Sequence, residues 1–141
     1  MNAQIKSRGR LARVRKLQHG LAAVRAHQAA QQVEQLEVSR ERLASLRAEL
    51  SAEEGITDGA ALSRRGELAM RLDAAHEGMV PAIMRARSMA EAEELARLAA
   101  RIREESASKL HSAARKNAQV AIDNRPARSW RPVPRLKLDE A

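Results

Sequence analysis

Catalysis by acid and base, by a metal or by a nucleophile needs groups that converge, and local spacing is the first sign of convergence. The chain has four histidines, His19, His27, His76 and His111, and they are widely separated. None forms the His-Glu-x-x-His pattern that sets two imidazoles on one helix face around zinc. There is no cysteine, so neither a disulfide framework nor a thiolate metal site can be built. Ser39, Ser63 and Ser106 lack a nucleophile elbow and a neighbouring base. Gly55 and Gly59 are not followed by the Lys-Ser or Lys-Thr of a phosphate-binding loop. The carboxylate groups Glu53-Glu54, Glu91/Glu93/Glu94 and Glu104-Glu105 sit among arginines, with Glu93 four residues before Arg97, and read as solvated helix faces. The expectation is a protein that is not an enzyme, with no catalytic, metal or cofactor-binding residue and no small-molecule substrate.

Charge is the chemistry that remains. The formal charge of +8 is unevenly spread along the chain. Lys6, Arg8, Arg10, Arg13, Arg15, Lys16 and Arg25 fall in the first 25 residues without one acid, whereas residues 26–122 hold 14 bases and 15 acids. Arg125, Arg128, Arg131, Arg135 and Lys137 make a second basic block at the other end. Such ends suit anionic lipid, phosphates or an acidic protein surface. For nucleic acid the stacking platforms are missing, because Trp130 is the only aromatic residue and no helix-turn-helix or other reader motif occurs. An Arg-rich, acid-poor start also imitates a mitochondrial transit segment, but Ser is scarce and the apolar pattern continues in register beyond it.

These charges must be carried by helices. Ala, Leu, Arg, Glu and Gln dominate, there is no Phe or Tyr, and 31% of residues are charged, the profile of a long helix or coiled coil. Apolar positions Leu11, Val14, Leu17, Leu21 and Val24, then Ala29, Val33, Leu36, Leu43, Leu46 and Leu50, recur at helical spacing, and Ser7 is a plausible N-cap. The stretch Gly55-Ile-Thr-Asp-Gly59 brings two glycines with Thr57 and Asp58 between them, a bend supplied with side-chain acceptors. A second run opens with Leu62, Leu68 and Leu72 and passes Met79 and Ile83. Gly78 and Pro81 predict a kink in it, and Asn124-Arg-Pro126 predicts its end near Ile122. No apolar run reaches the roughly 18 to 20 residues of a membrane span, so the protein should be soluble.

The fold class that follows is all-α, a long antiparallel two-helix coiled-coil hairpin drawn out into a rod. Helix one covers about residues 7–54, the corner about 55–61 and helix two about 62–122. Residues 123–141, rich in Pro and Arg, form a disordered basic tail in which Trp130 is either a docking anchor or a passive residue. In such a hairpin, paired positions sum to a constant. Leu46 with Leu68, Leu43 with Leu72, Leu36 with Met79 and Val14 with Ile102 all predict a value of about 115.

Together these features resemble the FliJ/YscO family of type III export stalk proteins. The resemblance lies in Arg10-Leu-Ala-Arg-Val-Arg-Lys-Leu17 before a Gln/Ala/Glu-rich first helix, in Gly55-Ile-Thr-Asp-Gly-Ala-Ala-Leu62, in Leu68 and Leu72, and in Lys109-Leu-His-Ser-Ala-Ala-Arg-Lys116. It covers roughly residues 8–120. It implies a cytoplasmic coiled coil that acts as the central stalk of a hexameric export ATPase, coupling it to the membrane export gate and to export chaperones, and so held at the cytoplasmic face of the inner membrane. It further implies that Arg8, Arg10, Arg13, Arg15 and Lys16 meet the ATPase, and that Leu43, Leu46, Leu50, Leu68, Leu72 and Met79 meet the gate. The sequence lacks the aromatic residues that the family often carries on the gate face. The alternative reading is a basic coiled-coil adaptor for nucleic acid or an acidic protein surface.

Overall fold

Asp58 starts the second helix, and it does so with both of its acceptors. Its carboxylate Oδ1 accepts from the backbone N–H of Ala61 at 2.7 Å, and its carbonyl accepts from the N–H of Leu62 at 3.1 Å. This is an N-cap, which satisfies amide donors that the first helical turn leaves without partners. In the computed structural model, which describes residues 2–52, Gly55 and residues 58–129, the chain forms α1 (Asn2–Ala52) and α2 (Gly59–Ser129). The fold is an all-α helical hairpin with no strand among the described residues. Glu53, Glu54, Ile56 and Thr57 of the corner, and the tail from Trp130 onward, lie outside the described residues.

Both helices run further than the sequence signals predict. α1 begins at Asn2, so Ser7 lies inside it and is no cap. α2 passes through Gly78, Pro81 and Pro126 as one helix and ends at Ser129, seven residues beyond Ile122. A proline removes one N–H bond to the carbonyl four residues earlier. Pro81 and Glu77 are both exposed, so water can stand in for the missing donor and the helix continues.

Two units divide the hairpin: Met1–Leu17 with Ile102–Ala141, and Gln18–Arg101. Within the second unit, positions of reduced exposure recur every three and four residues on α1 at Ala26, Ala29, Val33, Leu36, Arg40, Leu43, Arg47 and Leu50. On α2 the matching positions include Ala69, Leu72, His76, Met79, Ile83, Ala86 and Ala90. This is the seam pattern of a coiled coil. Ile83, 3% exposed, is the most buried residue of the seam. Within the first unit the same spacing selects Ile5, Arg8, Ala12 and Arg15 on α1 and Glu104, Ala107, His111, Ala114 and Ala118 on α2. The buried members there are all alanines.

The register differs from the one the leucine pattern predicts. In the second unit Arg47 Nε donates to Asp73 Oδ1 at 3.0 Å, a pair whose numbers sum to 120, and Leu46 and Leu50 share a groove with Leu72 and Leu68, pairs that sum to 118. In the first unit Gly9 lies against His111, which again gives 120. The helices are therefore offset by about one turn from a sum of 115. A seven-residue repeat matches itself almost as well after a shift of three or four residues, so alternation of leucines alone does not select among such registers. Residues that face the seam also differ. Leu11 (44% exposed), Leu17 (69%) and Leu21 (62%) point to solvent, and so do Val14 and Val24.

Cysteine pairs test this register. Leu46→Cys with Leu72→Cys should cross-link within one chain, with a short bifunctional maleimide, in higher yield than Leu43→Cys with Leu72→Cys. The reverse order on a gel would restore the register near 115.

Candidate partner-binding surfaces

Charge follows the division into units. Met1–Leu17 and Ile102–Ala141 contain 15 Lys and Arg and 5 Asp and Glu, a net +10, whereas Gln18–Arg101 contains 11 and 13, a net −2; together they give the +8 of the chain. Both chain ends belong to the basic unit.

Within the basic unit the five predicted cations separate into two groups. Arg10, Arg13 and Lys16 are exposed, while Arg8 and Arg15 are half-buried on the side of α1 that meets α2. Arg8 Nη1 donates to the carbonyl of Leu110 across the helix pair, at 3.5 Å and so weakly. Long cationic side chains of this kind can pack their methylenes along the seam and keep the charged head wet. Beside them runs an open groove of about 540 Å³ lined by Ile5, Lys6, Gly9, Ala12, Arg13, Lys16, Glu104, Ser108 and His111. Three of its lining side chains are cations and one is a carboxylate, so an anionic partner is favoured there.

His111 is the side chain in this unit that spacing did not single out. A Cβ built at Gly9 would lie 3.0 Å from His111 Cε1, so a larger residue there would crowd the imidazole. Its Nδ1 is buried and has no hydrogen-bond partner. The imidazole thus acts as a packing group. The sequence signal that could have found it is the seven-residue phase itself, which places His111 in line with Glu104 and Ala118. His19 and His76 are likewise half-buried on the seam face, and of the four histidines only His27 is exposed.

In the second unit, four of the six predicted apolar residues converge. Leu46, Leu50, Leu68 and Leu72, with Glu49, line a groove of about 230 Å³, and Leu46 and Leu68 are 44% and 48% exposed. Leu43 and Met79, half-buried on the seam like Leu50 and Leu72, do not line this groove. Next to the groove, Arg47 holds Asp73, and Ser51 Oγ donates to the carbonyl of Arg47 at 3.1 Å. Further along, Arg87 pairs with Glu37 across the two helices. Pairs this exposed contribute at most about 1 kcal/mol each, but they fix which helix faces meet. Arg97 binds Glu94, three residues before it, and not Glu93 as the i+4 rule predicts. The hydrogen bond from Arg97 holds the Glu94 carboxyl below its ordinary range. That carboxyl therefore favours the folded state above its unfolded-state pKa and ceases to do so as pH falls through its lowered value.

Among the described residues no three His, Asp or Glu side chains gather at metal-binding distance. No helix of the described residues is long and apolar enough to cross a membrane. Trp130 lies outside the described residues.

The packing of Gly9 and His111 makes a double-mutant prediction. In the His111→Ala background, Gly9→Ala should stabilise by close to the ~1 kcal/mol helix-propensity difference, whereas with His111 present the gain should be smaller by about 0.5 kcal/mol or more. Urea unfolding followed by circular dichroism measures both, and additive effects would mean that the two residues do not touch. Comparisons of the chain with family models, curated proteins and solved structures gave no match.

Proposed function

We propose that this protein is a non-enzymatic coiled-coil component of a flagellar or related type III export apparatus. In this reading it is the central stalk of the export ATPase hexamer, linking it to the membrane export gate and to export chaperones. The observation that carries the reading is the segregation of charge, +10 on the unit that holds both chain ends against −2 on the other. The resemblance of residues 8–120 to the FliJ/YscO family supports it.

The physical logic has two parts. A ring pore lined by acidic loops attracts the basic unit, and Arg10, Arg13 and Lys16 are its exposed cations on α1. Exposed charges are screened beyond about 8 Å at physiological salt, so the attraction guides approach and acts at short range. The leucine groove of the other unit, at Leu46, Leu50, Leu68 and Leu72, offers the gate a small apolar contact. Attachment at the cytoplasmic face of the inner membrane follows from these partners. The same +10 would also suit nucleic-acid phosphates, and that rival requires a mobility shift that falls steeply with salt.

Adding the purified protein to its export ATPase should promote hexamer assembly or raise ATP turnover. The variant Arg10→Gln/Arg13→Gln/Lys16→Gln, with helicity intact, should lose most of that effect. No response to the wild-type protein would contradict the stalk reading.

A further inference from the structure

On the face of α1 that points away from α2 in the basic unit, the export reading uses the cations and leaves the aliphatic side chains beside them unassigned. Leu11, Val14 and Leu17 are 44%, 49% and 69% exposed, and their three-residue spacing keeps them on one side of the helix. The opposite side is already occupied, since Gly9 and Ala12 face α2. Among the described residues these aliphatic side chains therefore keep much of their surface open to solvent. By the helix period Arg10 falls between Val14 and Leu17 and Arg13 at the flank of that side, both exposed, and no acid occurs in α1 before Glu34.

We infer that this outward face of α1 lies on an anionic lipid bilayer. The basic unit complements the lipid charge with its net +10. Leu11, Val14 and Leu17 enter the boundary between headgroups and acyl chains, while the long stems of Arg10 and, from the flank, Arg13 reach back to the phosphates. Charge selects lipid over a second copy of the chain as the occupant, because two basic units of net +10 repel each other whereas an anionic bilayer attracts one. Nucleic acid is disfavoured by the aliphatic character of the face, which offers no ring for a base to stack on. The contact is interfacial, since α1 is not apolar enough to span.

The test uses the full chain and sedimentation with vesicles, without any ATPase, so its result is independent of the stalk reading. Partition into vesicles of mixed phosphatidylglycerol and phosphatidylcholine should exceed that into phosphatidylcholine alone by about tenfold or more, and should fall with salt. Val14→Gln/Leu17→Gln should reduce the anionic partition by about tenfold with circular dichroism unchanged, because both side chains are exposed. Arg10→Gln/Arg13→Gln should reduce it and flatten its salt dependence. Equal partition into neutral vesicles, or none, would overturn the inference. So would anionic binding indifferent to Val14→Gln/Leu17→Gln, which would make the contact electrostatic alone. Sedimentation equilibrium that showed a dimer dissociated by the same two substitutions would assign the face to a second copy and also overturn it.

Discussion

A helix pair stays in register only if each helix returns a side chain to its partner every 3.5 residues on average, and this repeat is what the rest of the molecule depends on. In the second unit the repeat is filled by Ala26, Ala29, Val33 and Leu36 on α1 and by Ile83, Ala86 and Ala90 on α2. In the first it is filled by Ile5, Ala12, Ala107, Ala114 and Ala118, with His111 seated against Gly9. Small residues at such positions let backbones approach, but they bury little apolar area each, at about 25 cal/mol per Å². Cohesion is therefore spread over many shallow contacts, with Ile83 as the one large side chain below 9% exposure among the described residues. The repeat also tolerates Arg15, His19, Arg40, Arg47 and His76, since long polar side chains can leave the seam at their tips.

Much of this was legible in the sequence. The two helices, the corner near Gly55 and Asp58, and the all-α class follow from composition, spacing and turn residues, and Asp58 makes the kind of hydrogen bond that its position promised. The register was not legible, because leucines seven apart match in several offsets and the choice falls to specific contacts such as Arg47 with Asp73 and Gly9 with His111. The direction of the first leucines was legible only through a change of phase. Val24 to Ala29 is a step of five, and counting back by sevens from Ala29 and Val33 reaches Ala22, Arg15, Ala26 and Ala12, not Val14 or Leu17. Hydrophobicity alone would place the leucines inside, whereas the helix period places them outside. The end of α2 was misjudged where Pro126 was read as a stop, since the helix runs on to Ser129.

The candidate surfaces divide along the same lines. Charge was readable from composition, and it falls on one unit as +10 and on the other as −2. Which cations are available was not readable, since the seam draws Arg8 and Arg15 toward α2 and leaves Arg10, Arg13 and Lys16 in solvent. The leucines behave in the same way. Leu43, Leu50, Leu72 and Met79 are half-buried on the seam, and Leu46 and Leu68 stand exposed beside Leu50 and Leu72 along a groove. Seam phase thus decides which members of an arginine-rich or leucine-rich run can meet a partner.

Because the chain has no cysteine of its own, single cysteines report each position without interference. The most direct measurement is the rate of thiol labelling for cysteines placed one at a time along residues 10–30 of α1. The 3.5-residue seam predicts slow labelling at Ala12, Ala22, Ala26 and Ala29 and fast labelling at Val14, Leu17, Leu21 and Val24. Slow labelling at Leu11, Val14, Leu17, Leu21 and Val24, with fast labelling at the alanines, would contradict it.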